Sequence, residues 1–234
     1  MLGRNAAREC PGRPYQGFKL AHAVLAAPGG RTGFAGLSIG AQRVYGAVAD
    51  ASCVWTERHL PPRRRCGCGF YCFSSLAEAR ALSCATANQS AVLLEVVASG
   101  TFIRYERGLR YSHQRVQAVR VGACGCGRAA CGLGDAGRGV PGWRYLKPSC
   151  AECAPRGRFL TFTGFSVRLG GRVPVTSGGA VGWPDRLSDD PACPGGAPPG
   201  AGALASLGAE IALVHARLDH LQAQLSRLDG GPAR

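Results

Sequence analysis

The sequence predicts a β-rich α+β fold: a small zinc-stabilised antiparallel β core followed by a C-terminal coiled-coil helix. Three observations carry that expectation. Residues 90–106 and 109–121 show the apolar runs and period-two alternation of paired strands. Nine of the twelve cysteines gather in two clusters, 53–72 and 124–153, and Cys10, Cys84 and Cys193 stand alone. Residues 204–228 carry an unbroken heptad of apolar side chains, the pattern of a helix that pairs with another helix.

Composition bounds what the chain does. A hydrophobic fraction of 46% supports a buried core, whereas 35 glycines and 15 prolines call for many turns and some unfolded connecting chain. Aromatics make up only 7%, and no base-stacking platform is legible. The formal charge is +14, and it is uneven: +6 over 1–100, +10 over 101–172 and −2 over 173–234. Such a field attracts polyanions and acidic surfaces. Of the 28 basic residues 26 are arginine, a bias that GC-rich coding also produces without any ligand. No apolar run has the length of a signal peptide or a membrane span, so a cytoplasmic protein is expected. In that compartment cysteines are thiols or metal thiolates rather than disulfides.

Residues 1–13 read as a basic tail, and 14–170 as the zinc-binding β-rich domain. PYQGFKLAHAVL supplies a first strand, and RVYGAVADASCVW leads into the first cluster with β-branched and aromatic residues. Ser75-x-x-Glu78 is a capping box ahead of an Ala/Leu-rich segment, which predicts a short helix at about 75–84. Gly100 divides the strand at 90–106 and marks a bulge or bend. Arg107-Gly108 turns the chain back into 109–121. RFLTFTGFSVRL, 158–169, reads as a last strand. Residues 171–202 collapse to Gly, Pro, Ser, Ala and Asp and form a flexible linker. The helix at 203–229 places Leu204, Ile211, Leu218 and Leu225 at a and Leu207, Val214, Leu221 and Leu228 at d. That narrow stripe favours a parallel homodimer over docking onto its own domain.

The second cluster gives the clearer metal signal. Cys124 and Cys126 face Cys150 and Cys153 across 23 residues, two tight pairs as in a four-cysteine zinc ribbon. C-x-C departs from the usual C-x-x-C, so Cys131 competes with Cys126 as a ligand. The first cluster offers Cys53, His59, Cys66 and Cys68, with Cys72 as the rival to His59. Either set closes a tetrahedron without an open position, which favours one or two structural Zn²⁺ over a catalytic ion. Arg63, Arg64 and Arg65 beside Cys66 favour the thiolate, as both a redox thiol and a zinc ligand require.

The frame ADASCVWTERHLPPRRRCGCGFYCF, with YQGFKL upstream and GTFIRYERGLRYSHQRV and KPSCAEC downstream, resembles a family of uncharacterised, mostly actinobacterial Cys-rich proteins. Their motif runs A-x-C, H-x-x-P, C-x-C-G, and the likeness covers about residues 14–155. It implies Cys53, His59, Cys66 and Cys68 as the ligand group, with Cys72 standing where the family has a small apolar residue. It implies no activity.

No P-loop appears, and no dinucleotide fingerprint stands in a βαβ context. The expected function is therefore non-enzymatic: a zinc-stabilised dimeric adaptor with a basic surface for an acidic partner, nucleic acid being one such partner. Arg104, Arg107, Arg110, Arg115 and Arg120, on or beside the predicted hairpin, are the expected basic face. A thiol or zinc redox sensor is the alternative.

Overall fold

The computed structural model describes residues 8–9, 14–27, 30–37, 43–53, 59–83, 88–154 and 159–178. Most of the expected linker and the whole expected coiled coil, with Leu204, Leu207, Ile211, Val214, Leu218, Leu221, Leu225 and Leu228, lie outside the described residues. So do Cys10, Cys84 and Cys193.

The organising strand is β2 (Tyr15–Ala26), long enough to serve two sets of partners. Its first half pairs antiparallel with β7 (Val92–Tyr105), from Tyr15↔Ala98 to Ala21↔Val92. Its second half pairs with β3 (Thr32–Ala35) on one side and β10 (Trp143–Ser149) on the other. Apolar residues fill β2 almost continuously from Leu20 to Val24, which suits a strand covered on both faces.

β7 and β8 (Gly108–Val121) form the long hairpin expected from the sequence, closed by a turn at Glu106 and Arg107. The expected break at Gly100 is present: its φ is +75°, and the register shifts between Ser99 and Phe102. A Cβ there would meet the Ser112 hydroxyl, whose oxygen accepts from the Thr101 N–H at 2.9 Å. β1 (Arg8–Glu9) covers the outer edge of β7. β5 (Val48–Asp50), β6 (Phe70–Phe73) and β12 (Val175–Ser177) all pair with β8. β12 is the one parallel neighbour among the described pairs. β4 (Val44–Tyr45) extends β3. At the close approach of β6 and β8 a Cβ on Gly108 would run into the Cys72 carbonyl oxygen, so only glycine fits.

The helix expected at 75–84 is α1 (Leu76–Ser83). Ser75 caps it by accepting from the Glu78 N–H at 3.2 Å. The Glu78 carboxylate does not complete a reciprocal box; it pairs with Arg107 at 2.7 Å and ties the helix to the hairpin turn.

Two expectations change. RFLTFTGFSVRL is a strand only over β11 (Phe159–Thr161) and then becomes α2 (Phe162–Arg168). Thr161 is the N-cap, accepting from Gly164 N at 3.0 Å, and Phe162, Phe165 and Leu169 then face the core at helical spacing. The chain between the two cysteine pairs, which carried no predicted element, is a hairpin of β9 (Gly132–Val140) and β10. The four glycines of β9, at 132, 134, 137 and 139, hide the alternation. At Gly132 and Gly139 a Cβ would strike neighbouring backbone, so the glycines are what allows the strands to close.

The main core joins Leu94, Val96 and Val119 of the hairpin to Phe34, Leu133, Leu146 and Phe165. One charged side chain points into it. Lys19 is buried, its Nζ donating to Gln114 Oε1 at 3.3 Å and lying 4.6 and 4.4 Å from the ring centroids of Tyr45 and Phe70. Burial lowers its pKa to about 7, although the neighbouring Cys72 opposes that shift.

Candidate metal centres

Each cysteine cluster grows from strand ends. Cys53 follows β5, and His59, Cys66 and Cys68 lie on the loop that leads into β6. Cys124 and Cys126 follow β8, and Cys150 and Cys153 follow β10. In each cluster four ligand atoms lie within 4.8 Å of one another: Cys53, His59, Cys66 and Cys68 in one, and Cys124, Cys126, Cys150 and Cys153 in the other. Both groups could hold a metal ion.

The spacing fits a tetrahedral thiolate site. Bonds of about 2.3 Å from zinc to sulfur place two sulfurs about 3.8 Å apart along a tetrahedral edge. Cys53 and Cys66 sulfurs are 3.7 Å apart, those of Cys126 and Cys150 are 3.6 Å apart, and His59 Nε2 lies 3.2 Å from Cys68 Sγ. No described disulfide competes for these thiols.

The electrostatics suit a group that could hold a cation. Burial pushes the Cys68 thiol up to about 12, with Cys66 and Cys53 beside it adding to the shift and the Arg63 N–H opposing it. In the second group the N–H of Cys153, more than that of Glu152, points at Cys150 and helps bring its thiol down to about 6. Cys126 and Cys150 together hold the Cys153 proton up to about 12. Four thiols this close cannot all ionise alone, and a divalent cation is what lets them. The Gly127 N–H closes the Cys124 turn on the Cys124 carbonyl at 2.8 Å, and an Arg128–Glu152 ion pair joins the two turns.

The two open choices resolve geometrically. Cys72 is buried in the core against Gly17, outside the first group, and its thiol is pushed up to about 11 by burial. Cys131 is exposed, directs its sulfur toward the Ser149 carbonyl at 3.7 Å, and stands outside the second group.

The expected arginine face is not one surface. Arg110 is 3% exposed, a correction: its guanidinium donates to the carbonyls of Arg63 (3.0 Å) and Cys66 and to the Tyr71 hydroxyl (3.3 Å). The loop at 59–68 folds over that part of β8 and covers it. Arg107 and Arg120 are committed to Glu78 and Glu95, at 2.7 and 2.6 Å. Arg104 lies over the rings of Tyr15 and Phe102, and Arg115 is exposed.

Arg110 is instead the residue that shapes the first metal loop, helped by Thr101, whose hydroxyl donates to the Pro61 carbonyl at 3.3 Å. No sequence signal marked it. Arg110→Ala leaves the Cys66 carbonyl without its guanidinium donor and the Arg63 carbonyl with the Cys66 N–H alone, and is expected to weaken metal affinity at the first site by about 10–100-fold. Competition with a chromophoric chelator measures this. Arg110→Lys restores little, because one ammonium cannot span both carbonyls and the phenol as the guanidinium fork does.

Two short motifs acquire a context here. Gly132–Gly137 has the spacing G-x-G-x-x-G but is part of β9, a hairpin strand rather than a strand-to-helix turn. Gly36-Leu37-Ser38-Ile39-Gly40 has the spacing G-x-S-x-G and follows β3, an antiparallel strand; residues 38–40 lie outside the described residues. No helix among the described residues is long and apolar enough to cross a membrane. No family model, curated protein or solved structure matches this chain.

Proposed function

We propose that this chain is a non-enzymatic binding module whose β domain is stabilised by two structural Zn²⁺ and whose basic surface takes an acidic partner. The observation that carries the metal part is that both groups supply four soft or borderline ligands and no more. Zinc prefers such sets, and a closed set leaves no position for substrate. The charge of +14 supports an acidic partner. The heptad at 204–228 supports a parallel dimer.

Elemental analysis of the purified chain with a thiol titration tests the metal. Two zinc per chain are expected, and zero would overturn the reading. In sedimentation equilibrium the same preparation is expected to run at the mass of a dimer, and a monomer mass removes the coiled-coil part.

A thiol/zinc redox sensor is a second reading, favoured by one asymmetry. Cys126 and Cys153 are exposed, and Cys131, exposed as well, lies across the β9–β10 hairpin from Cys150. Peroxide would take two electrons from a pair of these thiols, forming a disulfide and releasing the metal. Unchanged zinc and thiol counts after peroxide treatment eliminate it.

A further inference from the structure

Two tyrosines from separate strands meet on the surface beside the first metal loop. Tyr71 of β6 and Tyr105 of β7 have ring centroids 6.5 Å apart and planes 26° from parallel. They are 46% and 45% exposed, among the few large apolar side chains of the described residues so open to solvent. Beneath them Arg110 lies 5.7 Å from each ring centroid and is bonded to the Tyr71 hydroxyl and the metal loop. The pair is thus braced from below by a buried guanidinium and open above.

A groove of about 520 Å³ runs alongside, lined by Leu60, Pro62, Ile103, Arg63, Arg64 and Arg65 and by His59 of the first ligand group. Ile103 is the cross-strand neighbour of Arg110, so groove and tyrosines belong to one continuous surface. The three arginines are exposed, and no hydrogen bond or ion pair among the described residues engages their side chains. Residues 59–73 carry these three arginines and no carboxylate.

We propose that this surface binds single-stranded nucleic acid, with bases stacked on Tyr71 and Tyr105 and phosphates on Arg63, Arg64 and Arg65. This rests on the acidic-partner reading above and names the partner's class. Arginines alone would suit any polyanion. Braced, open aromatic rings beside them are what unpaired bases use, and a duplex hides its base faces. An acidic protein would match the arginines but would give the rings no counterpart.

Fluorescence anisotropy on the full-length, metal-loaded chain tests it, using a labelled mixed-sequence DNA strand of about 20 nucleotides and its duplex. The single strand is expected to bind at least about tenfold more tightly than the duplex. Tyr71→Ala and Tyr105→Ala are each expected to weaken it about tenfold, and Tyr71→Phe to bind nearly as the native chain does. Arg64→Ala/Arg65→Ala should weaken binding and flatten the slope of log K against log salt by about 1.4, two phosphate contacts fewer. Arg115→Ala, which removes one exposed arginine away from this surface, on β8, should leave binding unchanged. Metal content is measured on every variant, and if Tyr71→Ala loses zinc, Tyr105→Ala decides. Duplex binding as tight as the single strand, or indifference to both tyrosine changes, overturns the proposal. If polyglutamate or heparin still binds in that case, the acidic-partner reading survives without it; if neither binds, both fall.

Discussion

Stripping the metal from both centres is expected to lower the melting temperature by at least about 10 °C, with two equivalents of zinc released. The expectation follows from what each centre closes. The first holds a loop of the chain, 59–68, that otherwise has Arg110 and Thr101 as its anchors on the sheet. The second joins the turn after β8 to the turn after β10, two strands that do not pair with each other. Zinc in small ligand sets contributes about 10–16 kcal/mol of apparent folding free energy at pH 7. A domain with its own sheet core recovers much of that loss, so about 5 kcal/mol is a conservative figure, equivalent to about 10–20 °C for a domain of this size. The two centres are not equivalent. Cys53 and Cys68 are buried, whereas Cys126 and Cys153 are exposed, so Cys68→Ser should cost more stability than Cys126→Ser. Thermal melts with and without a strong chelator, with zinc quantified in the released fraction, measure both effects. An unchanged melt after complete metal loss would show that the centres are not structural.

Lys19→Met is expected to stabilise the protein by about 2–3 kcal/mol at pH 7. Burial brings the Lys19 pKa from 10.5 to about 7, and each unit of such a shift corresponds to about 1.4 kcal/mol. The full penalty is therefore about 4–5 kcal/mol, offset by the hydrogen bond to Gln114 and the facing rings of Tyr45 and Phe70. Methionine fills the same space, and Gln114 keeps its bond from the Tyr111 hydroxyl at 3.1 Å. The sign with pH follows from the protons. Between pH 7 and 10.5 the unfolded chain holds more protons than the folded one, so native stability rises with pH across that window. Below pH 7 both states are protonated and the penalty is complete. Lys19→Met should remove this rise, so its advantage shrinks toward pH 10. Denaturant melts of both proteins at several pH values measure it; parallel curves would mean that Lys19 is solvated in the native state.

Much of both candidate ligand groups was legible in the sequence because each is largely local. Cys66 and Cys68, Cys124 and Cys126, and Cys150 and Cys153 are close in the chain, and a tight turn aims each pair at one point. The long hairpin was legible for a similar reason: β-branched alternation on both sides of a turn specifies a neighbour by proximity. Gly100 also announced its bulge, since a strand interior has little other use for glycine. The β9–β10 hairpin escaped because glycine has no side chain with which to write an alternation. The end of β11 escaped because Phe162, Phe165 and Leu169 satisfy a helical period as readily as an apolar strand, and the cap at Thr161 decides between them.

By itself, then, the sequence determined the cysteine pairs, the long hairpin whose second strand leads into Cys124 and Cys126, and the sign of the net charge. Lys19 carried no signal in the sequence beyond being one of two lysines beside 26 arginines; only its burial shows its cost. The resemblance already favoured His59 over Cys72 in the first group, and the tertiary structure gives the reason. Cross-strand pairing turns Cys72 into the core, and the loop returns His59 to Cys68. Only the tertiary structure converted Arg110 from a surface charge into a brace and brought Tyr71 and Tyr105 together from strands more than thirty residues apart. The physical reason is the same in each case. Which covering loop buries a strand residue, and which ring lies beside which, depend on contacts between distant segments, and neither composition nor period encodes them.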